Sequence, residues 1–208
     1  MTPELRAAVL DEFESLSSNG YRAVAVAYRT IGNGREVYSI ADESNMTFVG
    51  YVSFVDPPKE STREALEQAE ALGVEIKILT GDNELVTARI CERVGLKVKG
   101  VLMGQDVDAL DDGELAARAE QATVCARLSP DQKDRIIAAL KRAGHVVGYM
   151  GDGINDAPSL RTADVGVSVS NAVDVAREAA DIILLEEGLH VLETGIVEGR
   201  KTFANTLK

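Results

Sequence analysis

Three things are scarce in this chain: long apolar runs, cysteines and positive charge. No apolar run approaches the roughly 18 to 20 residues of a membrane-crossing helix, and no signal peptide follows Met1, so the sequence as it stands reads as soluble. The two thiols, Cys91 and Cys125, have neither metal-site spacing nor a histidine partner, and reduced cysteines in a cytosolic setting are the simplest account. Basic residues number 22 against 34 acidic ones, and the net charge of -12 argues against nucleic acid or an anionic membrane surface as a partner. There is no internal repeat and no low-complexity tract. What is left has the make-up of an ordinary globular protein, and 208 residues suffice for one sizeable core or two small domains.

The first third predicts a helix over residues 3–16, where Leu5, Val9, Phe13 and Leu16 recur at helical spacing, followed by strands at 21–28 and 46–55. A Gly/Asn-rich turn region, Ile31 to Gly34, separates the strands, and the three elements suggest a helix over an antiparallel pair, too small to be a whole domain. Asp56-Pro57-Pro58 ends the second strand and stiffens the link to the next segment, so a domain boundary is placed there, giving 1–55 and 56–188, with an amphipathic helix over 189–208. Beyond the prolines the pattern alternates. Helices are predicted over 59–72, 84–94, 114–119, 130–142 and 172–180, and strands over 74–79, 123–126, 146–150, 165–169 and 182–185. Short apolar strands alternating with helices predict an α/β fold, a mostly parallel sheet flanked by helices.

The centre of the chain's chemistry is the stretch VVGYMGDGINDAPSLRTADVGVSV, Val146 to Val169. An apolar run stops at Gly151-Asp152-Gly153-Ile154-Asn155-Asp156, a helix can begin near Ala157-Pro158, and a second apolar run follows at Val165. A loop leaving the carboxyl end of a parallel strand is where open α/β sheets place their ligands. Asp152 and Asp156 offer hard oxygen ligands suited to Mg²⁺, and the glycines let the backbone approach a ligand closely. A plain Asp/Gly turn with solvated carboxylates is the alternative for a bare Asp-Gly pair, but not for six such residues between two apolar runs.

Two further segments fit the same reading. Thr80-Gly81-Asp82 follows the strand IKIL directly, so a hydroxyl and a backbone N–H can face an anion, although a turn with a helix cap would leave the same residues. Lys133 sits near the start of a helix after the strand at Thr123, where a lysine is ordinarily a solvated charge. Their order along the chain, strand-TGD, lysine, strand-GDGIND, converges three loops on a phosphate and a divalent cation. Asp106 and Asp108 do not make a calcium loop, because the required glycine position holds Asp111, and 106–114 reads as a solvated loop and helix start. His145 reads as a core-edge residue without a partner.

TGDN at Thr80, Lys133 and MGDGINDAPSLRTADVGVSV together resemble the last three motifs of the haloacid-dehalogenase superfamily in the form used by P-type ATPases. DPPK at Asp56 resembles the hinge between the nucleotide-binding and phosphorylation domains of those pumps. The tail, AREAADIILLEEGLHVLETGIVEGRKTFANTLK, is similar to the segment of the magnesium-importing type that leads into a membrane helix. The resemblance implies that Asp152 coordinates Mg²⁺ with Asp156 beside it and that Asn155 bonds the phosphoryl group. Thr80, Gly81 and Asp82 form the phosphate loop, Lys133 neutralises developing charge, and Arg22 of YRAVAVAYR reaches ATP. It also implies residues 1–55 as a remnant of the nucleotide-binding domain. The remaining partners are the rest of a pump with transmembrane helices in the cell membrane.

The family's DKTGT sequence, whose first Asp is phosphorylated, does not occur in the chain, nor does its KGA-type adenine motif. Asp56 also ends an apolar run, but two residues on stands Pro58, whose side chain neither donates nor accepts, so Asp56 is not read as the nucleophile. The expectation is therefore a soluble piece of a pump that does not turn over by itself, with Mg²⁺ and ATP bound weakly. The sheet would lack the strand between those at Ile76 and Val146, to be filled by the 46–55 strand or by association between chains. A free-standing phosphatase of the same superfamily and a non-catalytic regulatory module stay open as alternatives.

Overall fold

The computed structural model describes residues 2–31, 37–55, 57–58, 61–186 and 188–206. Readings that fall on Gly34, Asp56, Lys59 and Lys208 lie outside the described residues. The chain divides into two compact units, Met1–Pro57 and Pro58–Lys208.

In the first unit, helix α1 (Pro3–Ser18) starts where Thr2 accepts a bond from the Leu5 N–H and Pro3 pre-sets the first turn. Strands β1 (Arg22–Tyr28) and β2 (Thr47–Phe54) pair antiparallel, with Ala25 opposite Tyr51 and Ala27 opposite Phe48. Small residues on β1 thus share a face with the aromatics of β2. Phe48 meets Tyr51 edge-on at 5.3 Å between centroids, Phe13 stands 6.1 Å from Tyr51, and the Tyr51 hydroxyl donates to Val9 O at 2.9 Å. The 46–55 strand is therefore committed to β1 and does not fill a place in the parallel sheet, as one expectation had it. Its antiparallel partner claims its ladder bonds. Val24, Val52 and Phe54 on the other face are exposed.

The second unit is the expected α/β fold of parallel strands flanked by helices. Its elements are α2 (Ser61–Ala71), β3 (Ile78–Leu79), α3 (Glu84–Val94), β4 (Val101–Met103), α4 (Gly104–Ala109), α5 (Asp112–Gln121), β5 (Val124–Ala126) and α6 (Pro130–Arg142). Then come β6 (Gly148–Met150), α7 (Ala157–Thr162), β7 (Val165–Val169), α8 (Asp174–Ala179), β8 (Ile182–Leu184) and α9 (Leu189–Thr206). The strands form two parallel sheets of three, in the orders β3-β5-β4 and β6-β7-β8.

Element β4 and helix α4 depart from the sequence reading, which left 106–114 as a solvated loop and helix start. Three residues are too few to show a period, and the acidic residues that suggest solvent serve as caps: Asp106 Oδ2 accepts from the Met103 N–H, and Asp111 Oδ1 from those of Gly113 and Glu114. The β3 ladder covers only the end of 74–79, matching the short β5 beside it. Likewise β6 begins at Gly148, since the Val147 N–H goes to Asp164 Oδ2 at 2.9 Å. His145 is also corrected. It is exposed, and its Nε2 lies 2.6 Å from Glu120 Oε1.

Helix α6 carries the main core, where Ile136, Ala139 and Leu140 meet Leu102, Val107, Leu115 and Cys125. Leu79 of β3 and Val147, just before β6, both pack against this cluster, so the α6 core reaches both sheets. Each fully buried leucine or isoleucine here contributes about 2 kcal/mol. The second sheet is covered more thinly, by Ala157, Leu160, Ala176 and Ala179 with the ring of Tyr149. Gly166 of β7 lies directly under α7, where a Cβ would run into the Leu160 carbonyl. Both cysteines are buried as free thiols, and burial pushes Cys125 up to about 11.

Candidate functional site

Thr80 leaves β3 with its N–H bonded to Cys125 O at 2.9 Å, the last ladder bond before the turn. Its hydroxyl accepts from the Asp82 N–H at 3.0 Å, and Asn83 caps α3 by accepting from Leu85. Two backbone bonds tie this turn to the segment after β5: Leu128 N–H to Thr80 O and Arg127 N–H to Asp82 O. Arg127 has a left-handed backbone, φ 54°, and its guanidinium forks onto Glu84 at the start of α3, at 2.6 and 3.2 Å. The fork holds the Glu84 carboxyl below its ordinary range and raises Arg127. Two residues on, Ser129 and Gln132 form a capping box at the start of α6. Lys133 comes next, so the phosphate-loop candidates Thr80, Gly81 and Asp82, at the end of β3, are tied by hydrogen bonds to the segment that leads from β5 to the candidate lysine.

The second half of the site is the loop after β6. Gly151 N–H continues the ladder to Val167 O at 3.1 Å, and the buried Ser168 hydroxyl donates to Gly151 O at 2.8 Å. Val173 N–H donates to Asp152 O at 3.1 Å. The backbone of Gly151-Asp152 is thus held on both sides while the Asp152 and Asn155 side chains stay exposed. Asp156 turns inward. A Cβ on Gly151 would fall 2.5 Å from Asp156 Cβ, so glycine at 151 is what admits this approach.

Lys133 and Asp156 meet, Nζ to Oδ1 at 2.8 Å, with both side chains largely buried, a direct pair that the sequence reading did not name. Sequence reasoning missed the third member. The Tyr149 hydroxyl donates to the same Oδ1 at 2.7 Å, while the other oxygen, Oδ2, accepts from Gly153 N–H at 3.1 Å. Burial by itself would raise the Asp156 carboxyl, but the bonds from Lys133, Tyr149 and Gly153 outweigh it and leave the group below its ordinary range. Tyr149 is pushed up, first by burial and then by the Asp156 carboxylate, so it stays a neutral donor. Ser168 was also missed. The available signal for both was a hydroxyl within an otherwise apolar strand.

The donor set is of the kind that suits Mg²⁺: an exposed carboxylate, Asp152, on a pinned backbone and a second carboxylate, Asp156, four residues on. Arg22, the expected nucleotide contact, is exposed at the start of β1 in the first unit.

The model of a family described as haloacid dehalogenase-like hydrolase matches residues 8–164. The chain belongs to that family. Among similar proteins, the Magnesium-transporting ATPase, P-type 1 of Escherichia coli (strain K12) is 55% identical over 195 residues, which is 94% of this chain and 22% of the relative. A protein of the same name from Salmonella typhimurium (strain LT2) is 48% identical over 210 residues, all of this chain and 23% of the relative. Calcium-transporting ATPase 1 of Lactococcus lactis is 31% identical over 209 residues, all of this chain and 24% of the relative. This member of the haloacid dehalogenase-like hydrolases therefore spans less than a quarter of the length of these relatives. No helix among its described residues is long and apolar enough to cross a membrane.

Proposed function

We propose that the chain is the phosphoryl-handling part of an ATP-driven cation transporter with Mg²⁺ as cargo, and that its loops serve formation and hydrolysis of an aspartyl phosphate. The observation that carries this reading is the Lys133–Asp156 pair at the mouth of the GDGIND loop, because phosphoryl transfer depends on positioned positive charge and a metal-binding carboxylate more than on covalent chemistry.

Asp152 is the direct carboxylate for a catalytic Mg²⁺, with Asp156 beside it. When bound, that ion neutralises charge on the phosphoryl oxygens. Asn155 bonds the phosphoryl group from the exposed side of the loop. Thr80 and the Gly81 N–H hold its oxygens, Asp82 fixes the turn through its own N–H on Thr80, and the Lys133 ammonium faces the nucleophile. Arg22 serves ATP, and residues 1–55 are the end of a nucleotide-binding domain, with the phosphorylation domain over 56–188 and 189–208 leading toward the membrane part.

The nucleophile belongs to a DKTGT strand elsewhere in the pump. Among the described residues, β3 and β6 each pair on one side only, and both flank the α6 core, which supports a place for that strand between them. Phosphorylation from ATP in the whole transporter carrying Asp152→Asn or Lys133→Met tests the reading. Loss of at least a hundredfold in either is expected, and wild-type phosphoenzyme levels in both would overturn it. The 208-residue chain by itself is expected to show no turnover of acetyl phosphate.

A further inference from the structure

Tyr149 has no part in the phosphoryl chemistry proposed for this site, yet its hydroxyl is aimed at the centre of it. Its ring packs against Ala157, Leu160, Ala176 and Ala179, the cover of the second sheet, so the phenol is held from behind by two helices. The hydroxyl lies 2.7 Å from Asp156 Oδ1 and 3.5 Å from Lys133 Nζ. A phenol has one proton to give, and the carboxylate is the acceptor at hydrogen-bonding distance. With Lys133 also on Oδ1 and the Gly153 N–H on Oδ2, both oxygens of Asp156 are engaged by the protein. Asp152, four residues earlier, is exposed.

We propose that Tyr149 is a positioning residue that keeps Asp156 turned toward Lys133 and away from the metal, so that of the two carboxylates of this loop only Asp152 is in direct contact with Mg²⁺. This rests on the reading of the loop as a Mg²⁺ site. It gives the two aspartates of GDGIND different tasks and makes one hydroxyl responsible for the difference. Bonds to a charged group are the strong class of hydrogen bond. Removing the phenol oxygen takes away one of the two bonds to Oδ1, and the carboxylate, held by one bond fewer, can turn its negative charge toward the metal site. A hydroxyl that merely stiffened the loop would have the opposite sign: its loss would weaken Mg²⁺ or leave it unchanged.

The test is Mg²⁺ titration of the 208-residue chain followed by the amide signals of Gly151 to Asp156, in the wild type, Tyr149→Phe, Asp156→Asn and the double variant. Phenylalanine keeps the packed ring. Tyr149→Phe is expected to tighten Mg²⁺ by about three- to tenfold, in line with the loss of one charge-assisted bond. The same change in the Asp156→Asn background is expected to do nothing, because Tyr149 acts through that carboxylate. Unchanged or weaker Mg²⁺ binding in Tyr149→Phe overturns the proposal, as does an equal effect in both backgrounds. A wild type that does not respond at millimolar Mg²⁺ removes the metal reading itself. Hydrogen exchange of the Gly153 N–H without metal then still reads the positioning. It should quicken several-fold in Tyr149→Phe, and an unchanged rate shows that Tyr149 does not hold Asp156.

Discussion

The two parallel sheets of the second unit do different work with different cover. The first, β3-β5-β4, has a centre strand with every residue buried and a deep core of branched side chains around α6. In the proposed reading it offers the site mostly backbone: the Gly81 N–H, the Thr80 turn and the start of a helix. The second, β6-β7-β8, is covered mainly by alanines, and its last strand is largely exposed. It offers side chains, the two carboxylates, and holds them by hydroxyls and N–H groups. The contrast suggests a division of labour. A phosphate cradle made of backbone needs a stiff strand behind it, whereas carboxylates can be aimed by local hydrogen bonds above a thinner core.

If the first sheet carries the stability of the unit, Ile136→Ala should be the most damaging change. The side chain is fully buried in the α6 core, and a loss of about 3–4 kcal/mol is expected from the urea midpoint followed by circular dichroism. Leu160→Ala, equally buried but lined by alanines that can close in, should cost about 2 kcal/mol. Equal losses would erase the comparison.

A smaller effect separates the sheets by pH. The folded Asp156 carboxyl is depressed, so its contribution is fully present above the unfolded value of about 4 and is lost as pH falls through the lower folded value. Wild type should exceed Asp156→Asn by about 1–2 kcal/mol at pH 7, and the gap should narrow below about pH 4. A gap that widens in acid would reverse the sign. The smallest change belongs to the first sheet's rim. Arg127→Ala removes a partly exposed fork and should lower stability by less than about 1 kcal/mol, while quickening hydrogen exchange at Gly81 and Asp82. Unchanged exchange there would mean that the backbone bonds alone hold the turn.

How far this contrast could be read in the sequence depended on whether a signal was local. GDGIND stands out because glycines and carboxylates interrupt two apolar runs. The helix at Pro130 stood out after the strand at Thr123, and the order of TGD, lysine and GDGIND pointed to loops converging on one place, though not to the Lys133–Asp156 pair itself. Tyr149 and Ser168 stayed hidden because what they do is decided across elements. Nothing near Ser168 says that a strand neighbour's carbonyl, Gly151 O, will need a donor. The same holds for Arg127, whose partner Glu84 is 43 residues away. The strand at Val101 and the helix after it escaped because three residues show no period and the caps looked like solvated charge. Apolar length overstated the strands at 74–79 and 146–150, since a ladder ends where its partner does.

Gly166 leaves no side-chain layer between α7 and β7. Helix and strand touch backbone to backbone, which removes the slack that packed side chains normally allow when one element slides over another. Mechanically, α7 is seated on a hard stop. The short turn that carries Asp156 runs straight into this seated helix, and at its near end the Gly151-Asp152 backbone is pinned to β7 and to Val173. A methyl group at 166 would act as a shim, lifting the lever off its fulcrum while every residue of the site remained in place in the sequence.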